Sequence, residues 1–204
     1  MFVTRKNSII FFIVCIMAMV LFLAGCSSPS HNQIGPMELS DDQQELMDII
    51  TIPGHEILLF DFETSDTFEN VEIWLDVYSY GELIESGQGI HQVGHQEPLD
   101  GRLAVIISST REDYYQTFHW TFTMSGGAGA RFESPPIESA GLGRAFGAIR
   151  EPVDIQDGQE IILYVSKFSR GGIRMFDDFQ AFAEQPELHE EYPYVHIIKA
   201  RFSN

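Results

Sequence analysis

The chain has 204 residues, 44% of them apolar and 12% aromatic, which is enough for one sizeable core and excludes wholesale disorder. Thirty acidic residues stand against 12 basic ones, for a formal charge of −18. Lys6, Lys167 and Lys199 are the only lysines, so the clustered cations that release counterions from phosphates are missing, which argues against a nucleic-acid partner.

In chain order, the first segment stands apart. Arg5 and Lys6 form a basic start, and Ile9 to Leu23 is an unbroken apolar run of 15 residues. A transmembrane helix needs about 20, so the run fits a signal-peptide core better. Leu23-Ala24-Gly25-Cys26 follows, and at all four positions it resembles the lipobox of bacterial lipoprotein precursors. The resemblance implies a diacylglycerol thioether on Cys26 and cleavage just before it. Residues 1–25 would then be the signal peptide, and the mature protein would be lipid-anchored to the cell membrane on its extracytoplasmic side. An ordinary secretory signal or an uncleaved anchor is the plainer alternative. The place of the box at the end of the apolar run, before a polar Ser/Asn-rich stretch, favours the lipobox. Beyond this segment the chain has only a general likeness to surface lipoproteins of Gram-positive bacteria that carry no assigned activity.

Cysteine usage agrees with that address. Cys15 falls in the removed segment and Cys26 at the lipid, so the mature chain keeps no pair for a disulfide. It also keeps all 30 acidic residues, so anionic lipid repels it and the domain is expected to stand off the bilayer.

Residues 27–39 lack periodicity and read as a flexible tether. Ser40-Asp41-Asp42-Gln43 has capping-box spacing, Leu46, Met47 and Ile50 share a helical face, and Pro53 lies just beyond. The pattern allows a short helix, although Ile49 to Ile52 reads equally as strand. Residues 26–52 are thus assigned to lipidated cysteine, tether and helix, and residues 53–204 to the folded domain.

From Ile57 onward the period is two. Ile57–Phe62 is one strand. Val71, Ile73, Leu75 and Val77 alternate with Glu72, Trp74, Asp76 and Tyr78, and Tyr80-Gly81-Glu82 turns the chain into Leu83–Ser86. Leu103, Val105 and Ile107 lead a third run that ends at Arg111-Glu112-Asp113. Tyr115 to Met124 alternates aromatics with threonines and His119, which favours strand. A loop-like stretch with Gly126-Gly127, Pro135-Pro136 and Gly141 leads to a shorter run, Arg144–Ile149. Glu160–Phe168 and Tyr194–Phe202 supply the last strands. Met175, Phe176, Phe179 and Phe182 have helical spacing inside an otherwise loop-like 170–193. Seven or eight strands without a second composition block predict a single all-β domain, an antiparallel β-sandwich with one or two short helices, the alternative being a β-barrel.

Catalytic signatures fail. No Gly-x-Ser-x-Gly elbow, His-Glu-x-x-His or Walker loop is present, and Gly141-Leu142-Gly143-Arg144-Ala145-Phe146-Gly147 is one residue too long for a dinucleotide fingerprint. His91, His95 and Glu97 have loose metal-ligand spacing without a clear third partner. Asp154, Asp157 and Glu160 around Gly158 read as a turn before a strand rather than a calcium loop. No catalytic residue, metal site or cofactor is assigned.

The face carrying Glu72, Trp74, Asp76, Tyr78 and Tyr80 is the most suggestive. If Val71, Ile73, Leu75 and Val77 face the core, these aromatics and carboxylates face out, a pattern that suits sugar rings or protein partners. Trp74, Asp76, Tyr78 and Tyr80 are therefore the candidate ligand or partner surface, unless another strand, the N-terminal helix or residues 170–193 cover it. Two functions follow: a non-enzymatic binding module for an envelope protein, peptide or cell-wall glycan, or an envelope hydrolase using carboxylates such as Asp61, Glu63 and Asp76 as acid and base. Since only a thiol forms the thioether, Cys26→Ser is expected to block lipid attachment and leave unprocessed precursor. Metabolic labelling with a fatty-acid probe checks this, and equal label in both proteins would refute the lipobox.

Overall fold

The computed structural model describes residues 31–51, 54–171 and 179–204. The expected signal segment 1–25, Cys26, Met175 and Phe176 lie outside the described residues. Among the described residues, no helix is long and apolar enough to cross a membrane.

The chain begins with β1 (Gln33–Pro36), α1 (Asp41–Ile50), β2 (Glu56–Glu63), β3 (Asn70–Ser79) and β4 (Glu82–Val93). Next come β5 (Asp100–Glu112), β6 (Tyr115–Met124), β7 (Gly129–Glu133), β8 (Ile137–Glu138), β9 (Leu142–Ala148) and β10 (Val153–Asp154). It ends with β11 (Glu160–Arg170), α2 (Phe179–Glu184), a 3₁₀ turn (Pro186–His189) and β12 (Tyr194–Ser203). One sheet runs β10-β1-β2-β5-β6-β7, with β8 on β6, and the other runs β4-β3-β12-β11-β9. Every pairing is antiparallel. The fold is an all-β sandwich, and the sheets do not close into a barrel.

Period two explains the layers. Phe60 and Phe62, Leu103, Val105 and Ile107, and Phe118, Trp120, Phe122 and Met124 are buried on the first sheet. They form one core with Val71, Ile73, Leu75, Ile198, Ala200 and Phe202 of the second. Each large apolar side chain so buried contributes ~1.5–3 kcal/mol against chain entropy.

Three readings of the sequence need correction. The 27–39 tether is too long, because Gln33–Pro36 forms β1, pairs with β2 and β10, and buries Ile34. The folded domain thus begins at β1 rather than at residue 53. Four residues ending in Gly-Pro carry too little alternation to show as a strand, and Gly35 is needed because a Cβ there would lie 2.9 Å from Pro152 Cα. The stretch after Met124 is not all loop, since it holds β7 and β8. The hairpin's second strand does not stop at Ser86 but continues to Val93.

The helix reading of residues 41–50 agrees with the structure: α1 has the Ser40/Gln43 capping box. Local capping alone specifies it, because α1 buries no residue and Ile49 is 73% exposed.

His196 points inward from β12 and is fully buried among the rings of Phe118, Trp120 and Phe168, at 5.3, 5.4 and 5.4 Å. Neither ring nitrogen has a hydrogen-bond partner among the described residues. The charge that acts on it is the Arg144 guanidinium, which is paired with Glu56 and the Tyr164 hydroxyl. Burial first, and Arg144 second, push the His196 pKa down to about 3. The folded state therefore resists a proton that the unfolded chain accepts near pH 6.5. The stabilising difference is fully present above that pH and is lost as pH falls toward 3. Wild type is expected to lose on the order of 3 kcal/mol more than His196→Leu between pH 7 and pH 4. Urea denaturation of both proteins at the two pH values reads this, and parallel losses would refute it.

Candidate binding groove

Strand alternation carries Glu72, Trp74, Asp76 and Tyr78 to the outer face of the second sheet. There β12 pairs with β3 and places Lys199 beside Trp74 and Arg201 beside Glu72. With Ser86, Gly87, Gly89 and His91 of β4, and Glu160 at the start of β11, these residues line a groove of about 440 Å³. Its floor is a sheet, so its geometry is fixed before any ligand arrives.

Asp76 organises the groove. Only 3% exposed, it sits where the β3–β4 register shifts. Its Oδ1 accepts from Trp74 Nε1 at 3.0 Å and from the Ser86 hydroxyl, while its Oδ2 pairs with Lys199 Nζ at 2.9 Å. Lys199 also reaches Glu160 at 2.9 Å. Burial pulls the Lys199 pKa down, but hydrogen bonds to Asp76 and Glu160 and the charge of Asp76 outweigh it and hold the ammonium above its ordinary value. Lys199 therefore stays charged through the neutral range. Arg201 Nε donates to Glu72 at 2.7 Å, and its guanidinium lies 5.3 Å from the centre of the Trp74 ring.

One end of the face is covered. Ile162, Val165, Phe182, Ala183, Tyr192, Val195 and Ile197 form a small cluster on this outer side, with Tyr78 packed against it. The ring of His189 meets that of Tyr78 at 5.0 Å. Burial is the main cause that raises the Tyr78 pKa. Residues 179–192 thus wall off Tyr78, while Trp74 remains half-buried in the open part.

The four expected surface residues do not act as one. Trp74, Asp76 and Tyr78 share the groove, but Asp76 is its buried linchpin rather than an exposed contact. Tyr80 is 57% exposed in the β3–β4 turn at φ 48°, and it lines a separate pocket of about 230 Å³ with Arg170, Glu191 and Tyr192. Alternation fails there because the strand has ended.

The proposed acid/base carboxylates are also apart. Asp61 and Glu63 project from the outer side of the first sheet, where Asp61 lies 3.4 Å from Arg102, whereas Asp76 projects from the second sheet. Asp76 and Glu160 do converge, but on Lys199, so the arrangement positions charge rather than leaving a carboxyl to move a proton. Asp154 and Asp157 are engaged by Gln33 and by the Asn204 backbone, away from Glu160's partner. Among the described residues, no three His, Cys, Asp or Glu side chains are grouped to hold a metal ion.

Lys199, Arg201 and Ser86 were not singled out by the sequence. A signal for the two cations existed: Lys199 and Arg201 alternate with buried Ala200 and Phe202, which marks an outward face. The unbroken apolar run Ile161–Val165 likewise signals a strand covered on both sides.

The YgaN domain family model matches residues 33–201, from the first residue of β1 into β12, and the chain belongs to that family. No curated protein and no solved structure matches it.

Trp74→Ala removes one of Asp76's donors and a cation–π contact but opens no hole between the sheets. It is expected to cost ~1–2 kcal/mol. Trp120→Ala, in the fully buried core, is expected to cost ~3–5 kcal/mol. Urea denaturation of the two variants checks the order, and an equal cost would show that Trp74 belongs to the core.

Proposed function

We propose that this YgaN-domain protein is an extracytoplasmic lipoprotein, anchored to the membrane through lipid on Cys26. Its sandwich serves as a non-enzymatic binding module for an envelope protein, peptide or cell-wall glycan. The observation that carries the reading is the open groove on the second sheet, where Trp74 is held ready by Asp76 and Arg201 on a rigid floor. A side chain fixed in this way loses little entropy when a ligand arrives. The lipobox Leu23-Ala24-Gly25-Cys26 supports the address. From Cys26 to Gln33 the chain spans at most ~25 Å even when fully extended, so the stand-off that the domain's negative charge favours is limited to that length.

Immobilised full-length wild type is expected to retain an envelope component that Trp74→Ala releases, with a drop of about 2 kcal/mol or more if Trp74 is a hot spot. Binding assays on fractionated envelope protein and glycan, run beside a stability check of the variant, measure this. Equal retention by the two proteins would remove the groove from the reading.

A further inference from the structure

We infer that the groove takes an uncharged, hydroxyl-rich ligand, a segment of neutral glycan, seated on Trp74 between Arg201 and the Lys199–Glu160 pair; this rests on the reading of the groove as a binding site. Charge decides first. Lys199 lies 2.9 Å from both Asp76 and Glu160, and Arg201 lies 2.7 Å from Glu72, so the lysine and the arginine lining the groove each already hold a carboxylate. A phosphate or carboxylate polymer finds no spare cation there and approaches a chain of formal charge −18. A cationic ligand fares no better. The carboxylates hold cations already, and Arg201, 5.3 Å from the Trp74 ring, takes the place that a ligand cation would seek.

An apolar side chain laid in the groove would strip water from these paired charges without replacing its hydrogen bonds. A hydroxyl both donates and accepts, so it can exchange for that water. Among the described residues the unspent groups are of both kinds: the third Lys199 proton, the second Glu160 oxygen and the Arg201 N–H groups not bonded to Glu72. Arg201 covers part of the Trp74 indole, and the part that stays exposed is flat and apolar, which matches a sugar ring that is apolar on its face and hydroxylated on its rim.

Shape agrees with charge. Gly89 stands opposite Trp74 across the β3–β4 pairing, where a Cβ would lie 1.8 Å from Ile73 O. With Gly87 nearby, the β4 wall is low beside the indole. The volume of about 440 Å³ lies within the ~300–1,000 Å³ of small-ligand sites.

The test is calorimetric titration of the full chain in detergent. The probes are uncharged oligosaccharides built on glucose, galactose, mannose and N-acetylglucosamine, with poly(glycerol phosphate) and polylysine as the charged probes. At least one neutral oligosaccharide is expected to bind with little dependence on salt. Trp74→Ala should weaken it ~10-fold or more, and Glu160→Gln, a near-isosteric change at the exposed rim, about fivefold. Thermal melts of both variants confirm folding, and the rim variant carries the test if Trp74→Ala is unstable. Trp74-dependent binding of a charged probe alone would overturn the ligand class while leaving the groove as the site. Neutral binding that ignores both substitutions would overturn the seat. If no probe binds, this inference falls, while the groove reading stands or falls on whether Trp74→Ala releases the retained envelope component.

Discussion

The groove and the core depend on one constraint, the antiparallel pairing of β3 with β12. It joins Asn70–Ser79 to Tyr194–Ser203, more than a hundred residues later, in a register running from Val195 opposite Tyr78 to Ser203 opposite Asn70. Because successive side chains point to opposite faces, this register sets Val71, Ile73, Leu75, Ile198, Ala200 and Phe202 inward. The same register sets Trp74, Asp76, Lys199 and Arg201 outward. A one-residue slip would bury Lys199 and expose Ile198, so the hydrophobic pattern that stabilises the sandwich also fixes the ion pairs of the groove.

Two ionic clusters complement the hydrophobic core. On the outer side, Lys199 links β12 to Asp76 of β3 and to Glu160 of β11. Between the sheets, Arg144 of β9 pairs with Glu56 of β2, and Tyr164 of β11 donates to Glu56 at 2.8 Å. That second cluster crosses the layers. Hydrophobic contact is tolerant of small shifts, whereas a carboxylate and guanidinium this poorly solvated must meet or leave a charge uncompensated, at ~3–5 kcal/mol. Such pairs specify one alignment of the layers more than they add net stability.

Local signals were legible in the sequence. The alternation of Val71 to Tyr78 and of Tyr115 to Met124 gave the strands and their faces, and Ser40 with Gln43 gave α1. What escaped was either too short to have a period, as with β1, β8 and β10, or nonlocal. Nothing in residues 194–203 says that they lie against residues 70–79, so Lys199 and Arg201 could be read as outward-facing but not as neighbours of Trp74. Asp76 was placed on the correct face yet read as exposed, because burial on an outer face comes from partners on other strands.

The partial cover over that face gives the groove a direction. Phe182, Ala183 and Tyr192 lie over Val165, Val195 and Ile197 and close the Tyr78 end, where a purely apolar outer patch would otherwise meet water. The other end keeps Glu72, His91 and Arg201, which are charged or polar and need no cover. Hydrophobicity therefore selects which half of the outer sheet is sealed, and the change from Ile197 to Lys199 along β12 marks where sealing stops. A ligand of the proposed kind would enter from the polar end or over the low glycine wall of β4 and would meet Trp74 at the boundary, where indole surface lies beside hydrogen-bonding groups.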